Sequence, residues 1–241
     1  MVKDGWRRPG INLAAAIAII AWMPRTGAAQ AAPPPASAAT IVVQGNGRGA
    51  PACISCHGLQ MLGNPVGGIP RLAGLSADYI QAQLDALASG ARKNAIMLPV
   101  ASSLSAAERH AVAEYMSKLP VPASLSATSD SAAPTPATPE QMTLGELLAT
   151  RGEWSRGLPG CDQCHGPGGV GVGAAFPPLA GQSSLYLANQ LDAWKQGTRP
   201  GGPLDLMTAI VKRMTDADIA AVAAYYAAQP PTPAAPERSR P

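Results

Sequence analysis

The chain repeats itself. The run IPRLAGLSADYIQAQLDALASGARK in its first half answers FPPLAGQSSLYLANQLDAWKQGTRP in its second at a constant offset of 107, with Tyr79 falling on Tyr186. Further on, SAAERHAVAEYMSKLP answers TDADIAAVAAYYAAQP at an offset of 110, and the shorter runs ACISCHG and GCDQCHG correspond at 108, Cys53 on Cys161. A chain of 241 residues built this way is two copies of one small unit, each folding round its own core. The copies span 41–120 and 143–229.

The segments outside the copies differ in character. Residues 1–31 read as an export signal: the basic run KDGWRR, the apolar stretch INLAAAIAIIAW from Ile11 to Trp22, then small residues with cleavage expected after Ala29 or Ala31. The apolar stretch falls short of the roughly 20 residues that span a bilayer. Left uncut, it would anchor the same soluble units to the outer face of the membrane. Either outcome exports the chain, and the expected compartment is the periplasm. The Pro- and Ala-rich stretches at 32–40 and 121–142 read as extended linkers, and 230–241 as a tail of the same style. The formal net charge is +3, and without Lys3, Asp4, Arg7, Arg8 and Arg25 the count is 14 basic against 14 acidic residues. Such a balance lacks the basic footprint that nucleic-acid binding requires.

Within each copy the pattern is helical, and the expected fold class is all-α. Ser76 and Ser183 stand as N-caps, Ile80, Leu84 and Leu87 recur on one face, and Gly90 and Gly197 fall at helix C-termini. Ser105 and Glu108 have capping-box spacing before the row Val112, Tyr115, Met116 and Leu119, which Pro120 stops. Aromatic residues make up only 4% of the chain, so something else must fill the centre of each copy.

All four cysteines and two of the three histidines lie in the two CxxCH runs. Two thiols separated by two residues can bond to the two vinyl groups of one haem, with the following histidine held beneath the iron as an axial ligand. This assigns Cys53, Cys56 and His57 to one haem c, and Cys161, Cys164 and His165 to a second. Three rivals fit less well. A four-thiolate zinc site would have to join cysteines from separate copies. A disulfide gives no reason for the histidine, and a thioredoxin-like dithiol wants a βαβ setting. For the sixth ligand, the repeat pairs Met97 with Met207 at an offset of 110. His110 has only Ala220 opposite it and reads as a solvated helix residue. Met214 aligns with Leu104 and reads as core, while Met61, Met116 and Met142 have no paired methionine and read as packing.

These residues together resemble the two-domain, dihaem class I cytochromes c of the cytochrome c4 type: CISCHG, PRLAG, YIQAQLDALASGARK, the loop methionine and the LSAAERHAVAEY helix, all present twice in similar form. The resemblance implies three to five helices round each haem, with His57 and Met97, and His165 and Met207, as axial pairs. It further implies that the carbonyls of Pro70 and Pro177 orient the two histidines. The run IVVQGNGRGAP before Cys53 carries no clear helix, so the family's N-terminal helix is expected only in copy two, from TLGELLATRGEWSRG. The long linker gives no reason to expect the copies to pack closely.

The implied function is electron transfer rather than catalysis. With both axial positions filled neither iron has an open site, and a thioether ligand favours ferrous iron. The first expectation is a diffusing carrier between a quinol-oxidising complex and a terminal oxidase, with peripheral membrane association in view. The alternative is the cytochrome subunit of a periplasmic dehydrogenase. A dihaem peroxidase would need an open iron, which the paired Met97 and Met207 argue against. Copy one carries six basic and four acidic residues and copy two six and seven, so the two ends could face different partners.

Overall fold

The computed structural model describes Met1 and residues 37–122 and 136–233, so the export signal and parts of the expected linker and tail lie outside the described residues. Residues 1–34 and 35–241 are separate units, and the second contains both copies. Copy one is built from α1 (Ala38–Gln44), α2 (Ile54–His57), α3 (Ala77–Ala88), α4 (Met97–Ser102) and α5 (Ala106–Ser117). Copy two repeats the plan with α6 (Pro139–Thr150), α7 (Asp162–His165), α8 (Ser184–Lys195), α9 (Leu206–Val211) and α10 (Asp216–Ala228). It adds a short antiparallel ribbon, β1 (Gly152–Glu153) and β2 (Leu158–Pro159). Among the described residues, no helix is long and apolar enough to cross a membrane.

Helix starts follow local chemistry. The hydroxyls of Ser76 and Ser183 accept from the N–H groups of Tyr79 and Tyr186, and Ser105 with Glu108 closes a full capping box. Equivalent boxes, Thr138 with Gln141 and Thr215 with Asp218, start α6 and α10. Gly90 and Gly197 directly follow the residues that cap α3 and α8.

Two expectations about the linkers are corrected. Copy one does have an N-terminal helix: Ser37 caps α1, and Ile41 and Val42, 0% and 2% exposed, pack in the same core cluster as Val112 and Met116 of α5. Its β-branched residues disfavour a helix in isolation, and burial overrides that weak preference. Likewise α6 begins at Pro139, inside the stretch expected to be linker, because the Thr138 box and Pro139 at the first turn start it early. In each copy the first and last helices cross, α1 on α5 and α6 on α10. The second crossing is close, since a Cβ on Gly145 would overlap the Ala221 carbonyl oxygen.

The cores are equivalent but filled differently. Met61 is fully buried with φ 56°, and its carbonyl accepts from Leu72 and Ala73. Its counterpart, Gly169, accepts from Leu179 and Ala180. There the space is taken by Tyr226, whose ring atoms lie 2.6–2.7 Å from where a Cβ on Gly169 would stand. Tyr226 in turn replaces Met116, which is 3% exposed. A methionine pair in copy one thus becomes glycine plus tyrosine in copy two.

The linker left the packing of the copies open, and the structure brings them into direct contact. Arg92 donates to Gln83 of its own copy (3.0 Å) and to Tyr186 (3.2 Å) and Gln190 (2.6 Å) of the other. Arg199, at the offset of 107, donates to Gln190 (3.0 Å) and across to Tyr79 (2.9 Å) and Gln83 (3.1 Å). The seam therefore has an approximate two-fold axis. A Pro-rich connector sets how far two units can separate, and the polar groups on their faces decide whether they do.

Candidate haem sites

In each CxxCH run the chain makes a single helical turn. Cys53 and Cys161 sit at its start, the second cysteine and the histidine follow three and four residues on, and both fall on the same face as the first. The histidine N–H groups donate to the Cys53 and Cys161 carbonyls at 3.0 and 2.9 Å. Gly58 and Gly166, at φ 78° and 77°, stop the turns in the left-handed region, so neither short helix runs on past its histidine.

His57 and His165 are 7% and 9% exposed. Their Nδ1 atoms lie 3.0 Å from the Pro70 carbonyl and 2.9 Å from that of Pro177. With Nδ1–H donating there, the lone pair sits on Nε2 and the ring angle is fixed. Burial lowers the pKa of both imidazoles, and the proline carbonyls only partly oppose it. Both rings are therefore held neutral and ready to bind a metal. In copy two the Phe176 ring stands edge-on to His165 at 5.9 Å.

No disulfide joins the four cysteines. Burial raises the Cys53 thiol and pushes Cys161 up to about 11, the reverse of what a reactive dithiol needs. Among the described residues no group of three or more histidine, cysteine or acidic side chains is arranged to hold a metal ion.

Met97 opens α4, and its N–H donates to Asn94 Oδ1 at 2.8 Å. Met207 is the second residue of α9, after a loop three residues longer than its counterpart in which Leu204 and Asp205 take φ 63° and 50°. Both methionines are half-buried. Met214 and Leu104 are 7% and 4% exposed and lie in the cores of their copies, whereas His110 is exposed and bonded to Gln81. The structure thus joins each histidine to its proline directly, while the two methionines stand on separate helices.

Several residues beside these sites escaped the sequence reading. Arg71, between Pro70 and the core, is 1% exposed and donates to Ala73 O (2.6 Å) and across the seam to Ala180 O (3.1 Å). Gln182 of copy two both accepts from the Arg71 N–H (2.9 Å) and donates to its carbonyl (3.1 Å). Burial pushes the Arg71 guanidinium down to about 10, which leaves it charged at neutral pH. In copy two Asp162 accepts from the Tyr226 hydroxyl (2.7 Å) and the Gly168 N–H (2.9 Å). The seam trio of tyrosine, glutamine and arginine carried a signal in the sequence, polar residues repeated at one fixed offset along α3 and α8 and the loops that follow them.

This donor set fits haem c. Each copy offers two thiols and a neutral, oriented imidazole in one turn, with a thioether elsewhere in the same copy. Arg71 Nε and Thr232 Oγ1 are buried without a partner among the described residues, and a porphyrin brings carboxylates that could accept from such donors. Once bound, haem supplies one-electron chemistry, and the chain's task is to attach it, fix its ligands and shield it.

The comparisons with known proteins agree. The family model for cytochrome c matches residues 45–120 and 158–228. A protein of Thiomonas intermedia called thiosulfate dehydrogenase electron acceptor is 50% identical over 76% of this chain and 81% of its own length. Cytochrome c4 of Pseudomonas aeruginosa is 32% identical over 73% of this chain and 83% of its own. Among solved structures, thiosulfate dehydrogenase (TsdBA) from Marichromatium purpuratum superposes with a TM-score of 0.71 at 39% identity, over 80% of this chain but only 40% of that one. With a CxxCH turn and a buried, oriented histidine in each matched segment, the chain belongs to the cytochrome c family, as an electron-transferring dihaem protein of the cytochrome c4 type with two covalently bound haem c groups.

Proposed function

We propose that this protein is the exported electron acceptor of a thiosulfate-oxidising dehydrogenase, with His57 and Met97 ligating one haem iron and His165 and Met207 the other. The observation that carries the reading is the 50% identity, over most of both chains, to a relative named as the electron acceptor of thiosulfate dehydrogenase. The likeness to the Marichromatium purpuratum structure supports it. The alternative raised from the sequence, a cytochrome subunit serving a periplasmic dehydrogenase, thus has more support than the carrier running to a terminal oxidase. A dehydrogenase commonly releases electrons in pairs, and two one-electron sites in one chain can take both from a single encounter. Pro70 and Pro177 fix the imidazoles, and Met97 and Met207 as second ligands would keep small molecules off the irons.

The test is stopped-flow reduction. Oxidised holoprotein mixed with a thiosulfate dehydrogenase and thiosulfate should gain the ferrous α-band rapidly, and thiosulfate without the enzyme should reduce it slowly or not at all. Rapid reduction by a quinol-oxidising complex together with none by the dehydrogenase would favour the carrier reading instead.

A further inference from the structure

The carbonyl that orients each histidine belongs to a peptide group with a second end. In copy one that group joins Pro70 to Arg71. Its carbonyl lies 3.0 Å from His57 Nδ1, and its N–H donates across the seam to Gln182 Oε1 at 2.9 Å. In copy two the group joins Pro177 to Pro178, which has no N–H to give. The two sites therefore share one contact to the imidazole and differ in what stands behind it.

Gln182 holds the Arg71 backbone at both of its polar groups. It is 3% exposed, and its Nε2 donates to the Arg71 carbonyl at 3.1 Å. Its Oε1 also accepts from the Ser183 N–H at 3.1 Å, so only one orientation of the amide satisfies all three neighbours, and that orientation is tied to the start of α8. The same helix start carries the rest of the loop. The Ser183 hydroxyl donates to the Pro65 carbonyl at 3.2 Å, and a Cβ on Gly68 would stand 3.3 Å from side-chain atoms of Asn189 and Leu185. In the corresponding loop of copy two, a Cβ on Gly173 would meet nothing within 4 Å. The reverse clamp cannot form, because Leu75 stands at the place of Gln182 and Pro178 at that of Arg71.

Buried hydrogen bonds in series polarise one another, so an acceptor on the peptide N–H makes the carbonyl of the same group a stronger acceptor for Nδ1–H. A more firmly held Nδ1–H makes Nε2 a more basic ligand, and a more basic ligand favours ferric iron. We propose that Gln182 of copy two is a positioning residue for the copy-one haem, acting on His57 through the Pro70–Arg71 peptide group and holding that haem's potential down. This rests on the reading that His57 is an axial ligand. Docking of the copies thereby becomes part of what sets the first haem's potential, and the second haem has no such dependence through its own proline.

A potentiometric titration of the full-length holoprotein tests it. Proton NMR carried through the titration ties each midpoint to its copy, since the Phe176 ring edge-on to His165 distinguishes the two imidazoles. Gln182→Met, which keeps the length and removes every hydrogen bond, should raise the copy-one midpoint and leave the other in place. The expected shift is about three- to tenfold in the ferric–ferrous equilibrium constant, or about 30–60 mV. Gln190→Met makes the same chemical change in the same seam, at the amide that accepts from Arg92 and Arg199, and should move neither midpoint. The proposal is overturned if Gln182→Met leaves the copy-one midpoint unmoved or lowers it, or if Gln190→Met raises it as far, because the cause is then a looser seam. In the oxidised protein the ring protons of His57 should be paramagnetically shifted. If they are not, the ligand reading fails and the proposal falls with it, whereas shifted ring protons with an unmoved midpoint defeat the proposal alone.

Discussion

The exchange of Met61 and Met116 for Gly169 and Tyr226 predicts a non-additive pair of mutations. Met61→Gly removes a fully buried side chain, at a cost of about 2–5 kcal/mol for the lost contacts and cavity. Part of this returns, about 1 kcal/mol, because glycine adopts the local φ of 56° without strain. Met116→Tyr on its own drives a ring into the space that Met61 fills, at about 1–3 kcal/mol for overpacking. Acting independently, the two would destabilise the protein by about 2–7 kcal/mol. Together they rebuild the packing of copy two, in which the tyrosine ring lies over a glycine, without the Asp162 acceptor that Tyr226 has, and the double variant should lose about 1–3 kcal/mol, the cost of the unpaired hydroxyl. Urea unfolding of the holoprotein, followed by far-ultraviolet circular dichroism through all four corners of the cycle, measures the coupling. Additivity within about 0.5 kcal/mol would show that the two side chains do not share one space and would refute the argument.

Other outcomes follow from the sites and caps. The intact mass of the exported chain under denaturing conditions should exceed that of the polypeptide by two haem groups, and a mass with one or none would contradict the double attachment. Met97→Ala and Met207→Ala should each remove part of the weak sulfur-to-iron absorption of the oxidised protein, whereas Met214→Ala should leave it intact and cost about 2–5 kcal/mol of stability as a core truncation. Burial works to raise the Glu108 carboxyl, but Ser105 and the Arg48 guanidinium outweigh it and hold the pKa below the ordinary range. The stabilisation from this group is complete above the unfolded carboxylate pKa and fades as pH falls through the lower, folded value. Glu108→Gln should therefore flatten the acid limb of a stability-versus-pH curve, and an unchanged acid limb would count against that role.

What the sequence made legible was local. A serine just before an apolar helical row marks a helix start whatever surrounds it, and a glutamate three residues on strengthens the signal, which is why Ser76, Ser183 and the Ser105–Glu108 box could be named in advance. The CxxCH turns were equally plain, since attachment to haem fixes both residue type and spacing within five positions. Helix α1 was hidden because AATIVVQ has weak helical preference and folds on burial of Ile41 and Val42. The Arg71–Gln182 contact was hidden for another reason: its partners lie 111 residues apart, and no periodicity records which polar group meets which across a linker. The repeat showed where the copies correspond and left open whether they touch.

The seam explains why the two copies act as a unit. Arg92 and Arg199 each bond Gln83, Gln190 and the tyrosine of the other copy, so removing either guanidinium takes the donor from the opposite phenol while each amide keeps one. An apolar seam could hold the copies equally well but would tolerate sliding, whereas paired polar groups are satisfied in one register only. Electron exchange between two haems depends steeply on their separation, so a fixed register is a functional requirement. Symmetry in the seam supplies that register. The direction of flow cannot come from the symmetric part, because two identical sites have equal potentials. It has to come from the residues that break the repeat.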